Sequence, residues 1–217
     1  FCANDPEASS FQRRYTSDKA ENTEFGIKAR GDSFNVNATY FMIDWTDIQI
    51  GIAPACGWSF QANGGEAETS GVELDFSFAL TDSVYVDFAG SFMSAETSVD
   101  MPSFGAVAGD RLPGSVEEQY NVGLSYEFVY ESKPSYARMD MLHYGDSYAT
   151  FGQSEDQMSP AYEKFNLNMG VELNENSSLQ LSIDNLFDTR TEAFKFSADS
   201  PDWRPRNYLQ WVPPRSI

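Results

Sequence analysis

The stretch Tyr162–Asp188 alternates apolar and polar residues so regularly that it constrains the fold of the whole chain. Its apolar residues occupy every second position on either side of a short polar turn at Asn174–Ser178. They are Phe165, Leu167, Met169, Val171, Leu173, Leu179, Leu181 and Ile183. Because successive side chains of a strand point to opposite faces of a sheet, the stretch predicts an antiparallel hairpin with one apolar and one polar face.

The same alternation recurs along the chain and predicts eight antiparallel strands in all. The other six cover about 23–29, 34–50, 72–80, 84–92, 119–130 and 137–141. One predicted face is apolar and outward, with Val122, Leu124, Tyr126, Phe128, Leu167, Met169, Leu181 and Ile183. The concave face is predicted to be polar, with Asn121, Ser125, Glu127, Asn166, Asn168, Gln180 and Ser182.

The connections between these strands alternate between short and long. The short turns are 31–33, 81–83, 131–135 and 174–178, and the long loops are about 51–58, 99–116, 150–160 and 189–212. In an up-and-down meander, this order puts every short turn at one end of the sheet and every long loop at the other. Aromatic residues also cluster at the strand ends on the apolar face. Both features are typical of transmembrane β-barrels, whose closed sheets pair every backbone group that faces lipid.

Composition excludes several classes of protein. The 217 residues include 33 acidic and 14 basic side chains, a formal net charge of −19, which argues against a nucleic-acid partner. Apolar runs reach only about four residues, too short for a transmembrane helix. The first twenty residues are polar, predict a loop, and show no feature of a signal peptide.

Six short motifs, in order over about residues 20–217, resemble segments of the β-barrel of TonB-dependent outer-membrane receptors. They are NTEFGIK at 22–28, FMIDWTDIQ at 41–49, NGGEA and GVEL within 63–74, GDRLP at 109–113, DNLFD at 184–188 and PPRSI at 213–217. The resemblance implies an all-β, antiparallel, up-and-down transmembrane β-barrel. About eight C-terminal strands of it are expected here as an open curved sheet, with residues 1–217 as a partial barrel domain that lacks the plug domain and the final strand.

The resemblance also implies a function, a location and partners. The parent receptor would take up a scarce nutrient, such as a ferric siderophore, across the outer membrane of a Gram-negative bacterium. Its partners would be outer-membrane lipid, the plug domain, the TonB system acting through that plug, and the small-molecule ligand. Neither a cofactor nor an enzymatic activity is implied. The alternative is a self-contained small barrel with a structural or adhesive role.

Charge distinguishes the open sheet from a small closed barrel. Eight strands can close around an interior that side chains just fill. That interior would hold seven charged residues, six of them acidic: Glu73, Asp75, Asp87, Glu127, Arg138, Asp140 and Glu172. Burying them together would be costly, whereas a wide barrel leaves them in water or against a plug. We therefore expect the first and eighth strands to have unpaired edges.

Few residues suggest a reactive site. His143 has no partners at metal-ligand or catalytic spacing, and the carboxylates are spread over too many strands for a glycosidase pair. Candidates for ligand contact lie in the long loops, where such scaffolds carry binding. They are Trp58, Phe104, Arg111, Tyr148, Phe151 and Trp203. The alternative is that these side chains order the loops themselves.

The two cysteines, Cys2 and Cys56, are both expected at the long-loop end of the sheet. If that end is extracellular, a disulfide between them would persist there. A bridge that closes so long a loop contributes about 4 kcal/mol in the chain-entropy account. The other possibility is that Cys2 pairs with a cysteine upstream of this sequence. A Cα–Cα separation well beyond about 7 Å would exclude the bond.

Overall fold

A computed structural model describes residues 14–52, 60–102, 105–198 and 206–217. Their secondary structure is fourteen strands and one short 3-10 turn at Glu155–Gln157. The strands are β1 Lys19–Arg30, β2 Phe34–Thr46, β3 Gln49–Ile52, β4 Phe60–Asn63, β5 Ala67–Ala79, β6 Val84–Thr97, β7 Glu118–Tyr130, β8 Lys133–Tyr144, β9 Ser147–Tyr148, β10 Met158–Ser159, β11 Tyr162–Asn174, β12 Ser177–Ile183, β13 Glu192–Ala198 and β14 Arg206–Trp211. Among the described residues, no helix is long and apolar enough to cross a bilayer.

Eight of these strands form one antiparallel sheet, in the order β1-β2-β5-β6-β7-β8-β11-β12. Each strand pairs with the next one of the sheet along the chain, so the predicted up-and-down meander of eight strands is confirmed. The strands β1 and β12 lie at the two edges, and no ladder joins them within the described ranges. The sheet is therefore open, as the charge argument predicted.

The register sorts the side chains into an apolar face and a polar face. Phe88 lies opposite Val122, Val122 opposite Met141, and Met141 opposite Phe165. Directly opposed residues share a face, so these four form one apolar row across four strands. Many large side chains on this face are exposed: Phe25, Ile27, Tyr40, Leu124, Tyr126, Met139, Met169, Leu179 and Leu181. An apolar surface of this extent is expected to meet lipid or a partner rather than water.

The polar face carries one charge network that spans three strands. Arg138 on β8 donates to both carboxylate oxygens of Asp87 on β6, at 2.7 and 2.9 Å, and to the hydroxyl of Ser125 on β7. Its Nε donates to Asp140 at 3.0 Å. Gly123 lies in register between Asp87 and Asp140, and a Cβ there would collide with the Arg138 guanidinium and the Asp87 carboxylate. The network therefore requires glycine at position 123.

Several predicted strand boundaries were wrong, and in two places the reason is a local backbone conformation. The second strand ends at Thr46 instead of continuing to Ile50, because Asp47 adopts a φ of 54° and the chain then enters the separate β3–β4 hairpin. The turn expected at 131–135 consists only of Glu131 and Ser132, with φ values of 49° and 64°. Two residues at positive φ suit a tight hairpin, so β8 begins at Lys133 instead of about residue 137.

The long loops contain more strand than the sequence predicted. The loops expected at 150–160 and 189–212 contain β10, β13 and β14, and β9 lies just before the first of them. The first strand also begins at Lys19, within the segment predicted to be a loop. The small ladders were missed because their alternating runs are short and prolines interrupt the last loop.

Replacing Arg138 by Met tests the charge network. We expect the free energy of unfolding of the full receptor to fall by about 1–3 kcal/mol, because Asp87 and Asp140 would keep their charges without the shared cation. The guanidinium is about a third exposed, which keeps the loss below that of a fully buried pair. Denaturant unfolding in lipid measures the change. Lys28→Met, an exposed lysine on the same face of β1, is the control, and equal effects of both variants would contradict the role of the network.

Candidate functional site

The candidate site lies at the end of the sheet where the long connections emerge, here called the loop end. The connection between β6 and β7 is loop A (98–117), that between β8 and β11 is loop B (145–161), and residues 184–215 after β12 are loop C. The β3–β4 hairpin stands at the same end, between β2 and β5. Because neighbouring strands run in opposite directions, all four connections project from the same end of the strands.

The structure describes three of the six predicted ligand-contact residues: Arg111, Tyr148 and Phe151. Of these, Arg111 and Tyr148 lie together, with the guanidinium carbon 5.8 Å from the centroid of the tyrosine ring. The other three predicted contact residues and both cysteines lie outside the described residues. They are Trp58, Phe104, Trp203, Cys2 and Cys56. Their roles, including the disulfide, stay predictions.

Arg111 is only 8% exposed, and loop atoms surround its guanidinium. Its Nη1 donates to the Asp146 carboxylate at 2.9 Å, and its Nη2 donates to the carbonyls of Ser115 and Asp146 at 2.9 and 2.5 Å. The Glu117 carboxylate lies 3.7 Å from Nε. These contacts join loop A to loop B, so this side chain orders the loops. Ligand contact by Arg111 stays a prediction.

Two tyrosines form a stacked pair on the polar face just below the loops. The rings of Tyr144 and Tyr162 lie 5.0 Å apart at an interplanar angle of 21°. Lys164 follows on the same face of β11 and has no carboxylate within ion-pair distance in the described part of the chain. The sequence reasoning missed this group because it ended the sixth strand at Met141, before Tyr144.

His143 lies on the apolar face with Met139 and Met141. Its ring stacks on Tyr120 at 4.6 Å, and its Nε2 lies 3.3 Å from a Glu118 carboxylate oxygen. Within the described ranges, no group of three or more His, Cys, Asp or Glu side chains could hold a metal ion. The surroundings of His143 are those of a packed aromatic residue at the loop end.

Loop C is attached to the sheet through Asn185, which is 1% exposed. Its amide Nδ2 donates to the carbonyls of Thr189 and Pro213 at 3.0 and 2.8 Å, and its Oδ1 accepts from the Thr189 N–H at 2.8 Å. Beyond Pro213, Ser216 forms an antiparallel bridge with Asp184 through hydrogen bonds of 3.0 and 3.1 Å. The PPRSI segment thus contacts the edge of β12 through one isolated β-bridge.

A carboxylate in the same turn strengthens this attachment. The backbone N–H of Arg215, followed by the side chain of Arg190, holds the pKa of the Asp188 carboxyl below its usual value. A lowered folded-state pKa means that the ionised carboxylate stabilises the fold. That contribution is present above the ordinary carboxyl pKa and is lost as the pH falls through the lowered one.

Comparisons with known proteins agree with this architecture. A family model described as TonB dependent receptor-like, beta-barrel matches residues 10–186. The Pesticin receptor of Yersinia enterocolitica is 22% identical over 193 residues, which are 88% of this chain and 28% of the relative. The chain therefore spans less than a third of the length of that relative.

Solved structures resemble the sheet at low sequence identity and so support the fold alone. The ferric yersiniabactin uptake receptor FyuA of Yersinia pestis has a TM-score of 0.76 at 19% identity, over 93% of this chain and 29% of that one. The copper transporter OprC has a TM-score of 0.70 at 20% identity, over 94% and 30%. A mutant ferric enterobactin receptor, PfeA of Pseudomonas aeruginosa in complex with enterobactin, has 0.69 at 17%, over 93% and 30%. With most of its length matched by the family model, the chain belongs to the TonB-dependent receptors, and its sheet is part of their β-barrel domain.

Proposed function

We propose that the parent receptor imports a ferric siderophore across the outer membrane of a Gram-negative bacterium. Its family consists of receptors and transporters rather than enzymes, and two similar structures are named for ferric siderophores. In this proposal the TonB system drives uptake through a plug domain that packs against the polar face of the sheet. The rest of the barrel joins the edges of β1 and β12. Those free edges favour a segment of a wide barrel over a self-contained small one.

The observation that carries the choice of ligand is the Tyr144–Tyr162 pair with Lys164 beside it. Stacked rings offer flat apolar surfaces to a planar aromatic group, and an unpaired ammonium attracts negative charge. An iron chelate built from aromatic, anionic groups combines both properties. The tyrosine pair lies directly below the loops, where a ligand entering from outside would meet the wall of the barrel.

The dimensions of the apolar face support its proposed position in lipid. On β7 the apolar alternation runs from Tyr120 to Tyr130, about ten residues. At about 3.3 Å per residue and a tilt of about 40°, this stretch is about 25 Å tall, the height of the outward apolar band of outer-membrane barrels. Aromatic residues stand at both ends of the stretch, where such barrels place their girdles.

Iron uptake by the full receptor tests the proposed function. Expressed in a Gram-negative host that lacks its own siderophore receptors, the receptor should accumulate radioactive iron from at least one aromatic siderophore, and only when TonB is present. The double variant Tyr144→Ala/Tyr162→Ala should weaken binding up to about tenfold, from the loss of stacking.

The matched control for these variants is Tyr85→Ala, on the same face but at the turn end, where the tyrosine hydroxyl donates to the Asp82 carbonyl. Uptake of no ferric siderophore would overturn the proposal. Uptake of a copper chelate alone would redirect it to another metal. Normal binding by the double variant would remove the tyrosine pair from the ligand site.

Arginine substitutions on β7 test which face meets lipid. Leu124→Arg, near the middle of the strand on the apolar face, should lower the free energy of unfolding in a bilayer by about 2–4 kcal/mol. Asn121→Arg, on the polar face of the same strand, should have a much smaller effect because it faces the lumen. Denaturant titration of the refolded receptor measures both, and a larger loss for Asn121→Arg would reverse the assignment.

A further inference from the structure

We propose that the four connections at the loop end form one mechanical unit, here called the mouth belt, in which Arg111 is a positioning residue. The mouth belt comprises the described residues of the β3–β4 hairpin with its two flanking segments, of loop A, of loop B and of loop C. Each connection touches the next through a buried contact, in the order in which they stand along the sheet. The proposal concerns the ligand-free receptor, so it does not depend on the ligand that the receptor imports.

The first contact joins the two segments that flank the β3–β4 hairpin to loop A. The Ser98 N–H donates to the Glu66 carbonyl at 2.9 Å. Met101, 4% exposed, packs on Gly65 so closely that a Cβ there would lie 2.5 Å from the methionine sulfur. Ile48, itself buried, lies 3.6 Å from the same Cβ position. This apolar contact couples the hairpin region to loop A without an ion pair.

Loop A is also fixed to the sheet beneath it. The Gly109 N–H donates to the Thr97 carbonyl and the Leu112 N–H donates to the Ala95 carbonyl, each at 2.8 Å. Both acceptors belong to the loop end of β6. Loop A therefore folds back onto its own strand, and this arrangement brings Arg111 to the side of the loop that faces loop B.

The second contact is the guanidinium of Arg111, which joins loop A to loop B through Asp146. The Gly114 N–H adds a backbone bond of 2.7 Å to the Tyr148 carbonyl. If loop B moved away alone, the nearly buried guanidinium would lose the Asp146 carboxylate and carbonyl together. Leaving a buried charge without its partners is costly, so the two loops open together rather than separately.

The third contact joins loop B to loop C. Within loop B, β9 pairs with β10, and the Ala149 N–H donates to the Gln157 carbonyl at 3.0 Å. Ser159 on β10 is 4% exposed, and its hydroxyl accepts from the backbone N–H of Lys195 on β13 at 2.9 Å. A displacement of Asp146 thus reaches Lys195 through one short ladder.

Hydrogen exchange measured by mass spectrometry on the full, ligand-free receptor tests the mouth belt. Arg111→Met should speed exchange about tenfold or more, both across 146–159 and at the Lys195 amide, as one cooperative opening. Amides of the sheet at 119–143 should keep their protection. Arg30→Met, an exposed arginine at the turn end of β1, is the matched control and should change nothing at the loop end.

A second variant separates coupling from local damage. Ser159→Ala removes the acceptor of the Lys195 N–H, and its effect on that amide should be non-additive with the effect of Arg111→Met. Additive effects would overturn the proposal. So would faster exchange confined to 111–115, or a loss of protection that includes the sheet. If Arg111→Met fails to fold, Asp146→Asn keeps the backbone acceptor and should give the same pattern at smaller amplitude, while its absence there overturns the mouth belt.

Discussion

The structure depends on one constraint, the pairing of backbone groups between neighbouring strands in an unbroken register. In an apolar environment no water is present to hydrogen-bond an unpaired backbone N–H or C=O. A sheet that spans a membrane must therefore pair every such group with another strand. Side chains repeat with a period of two, and a slip of one residue would exchange the two faces. The row from Phe88 to Phe165 and the Asp87–Arg138–Asp140 network are both products of this register. One register therefore determines the composition of both faces.

Alternation is a local property, and this is why the sequence predicted the eight strands, their order and their faces. Strand ends depend on single backbone conformations, such as that of Asp47, which no alternation reports. The loop end depends on contacts distant in sequence. Arg111 and Asp146 are 35 residues apart, and no local pattern connects them. The GDRLP motif drew attention to Arg111, but its main structural role is visible only when loop B stands beside it.

The connections at the two ends of the sheet differ in length and in how they are ordered. At the turn end, tight connections such as Glu131–Ser132 only reverse the chain. At the loop end, long segments need a framework of their own, which the small ladders and the buried side chains of Arg111, Ser159 and Asn185 provide. Contacts between the loops hold their side chains at defined positions. Loops that contact one another can hold such positions without longer strands beneath them.

The bridge between Asp184 and Ser216 fixes how the last residues of the sequence lie against β12. Asn185 donates a hydrogen bond to the Pro213 carbonyl, and this contact aligns the segment with β12 next to the bridge. Extending the antiparallel register of the bridge by one residue places Ile217 opposite Ile183, which belongs to the apolar face. By holding the Pro213 carbonyl, Asn185 therefore helps to set which residues of this segment share the apolar face of β12 and which share its polar face.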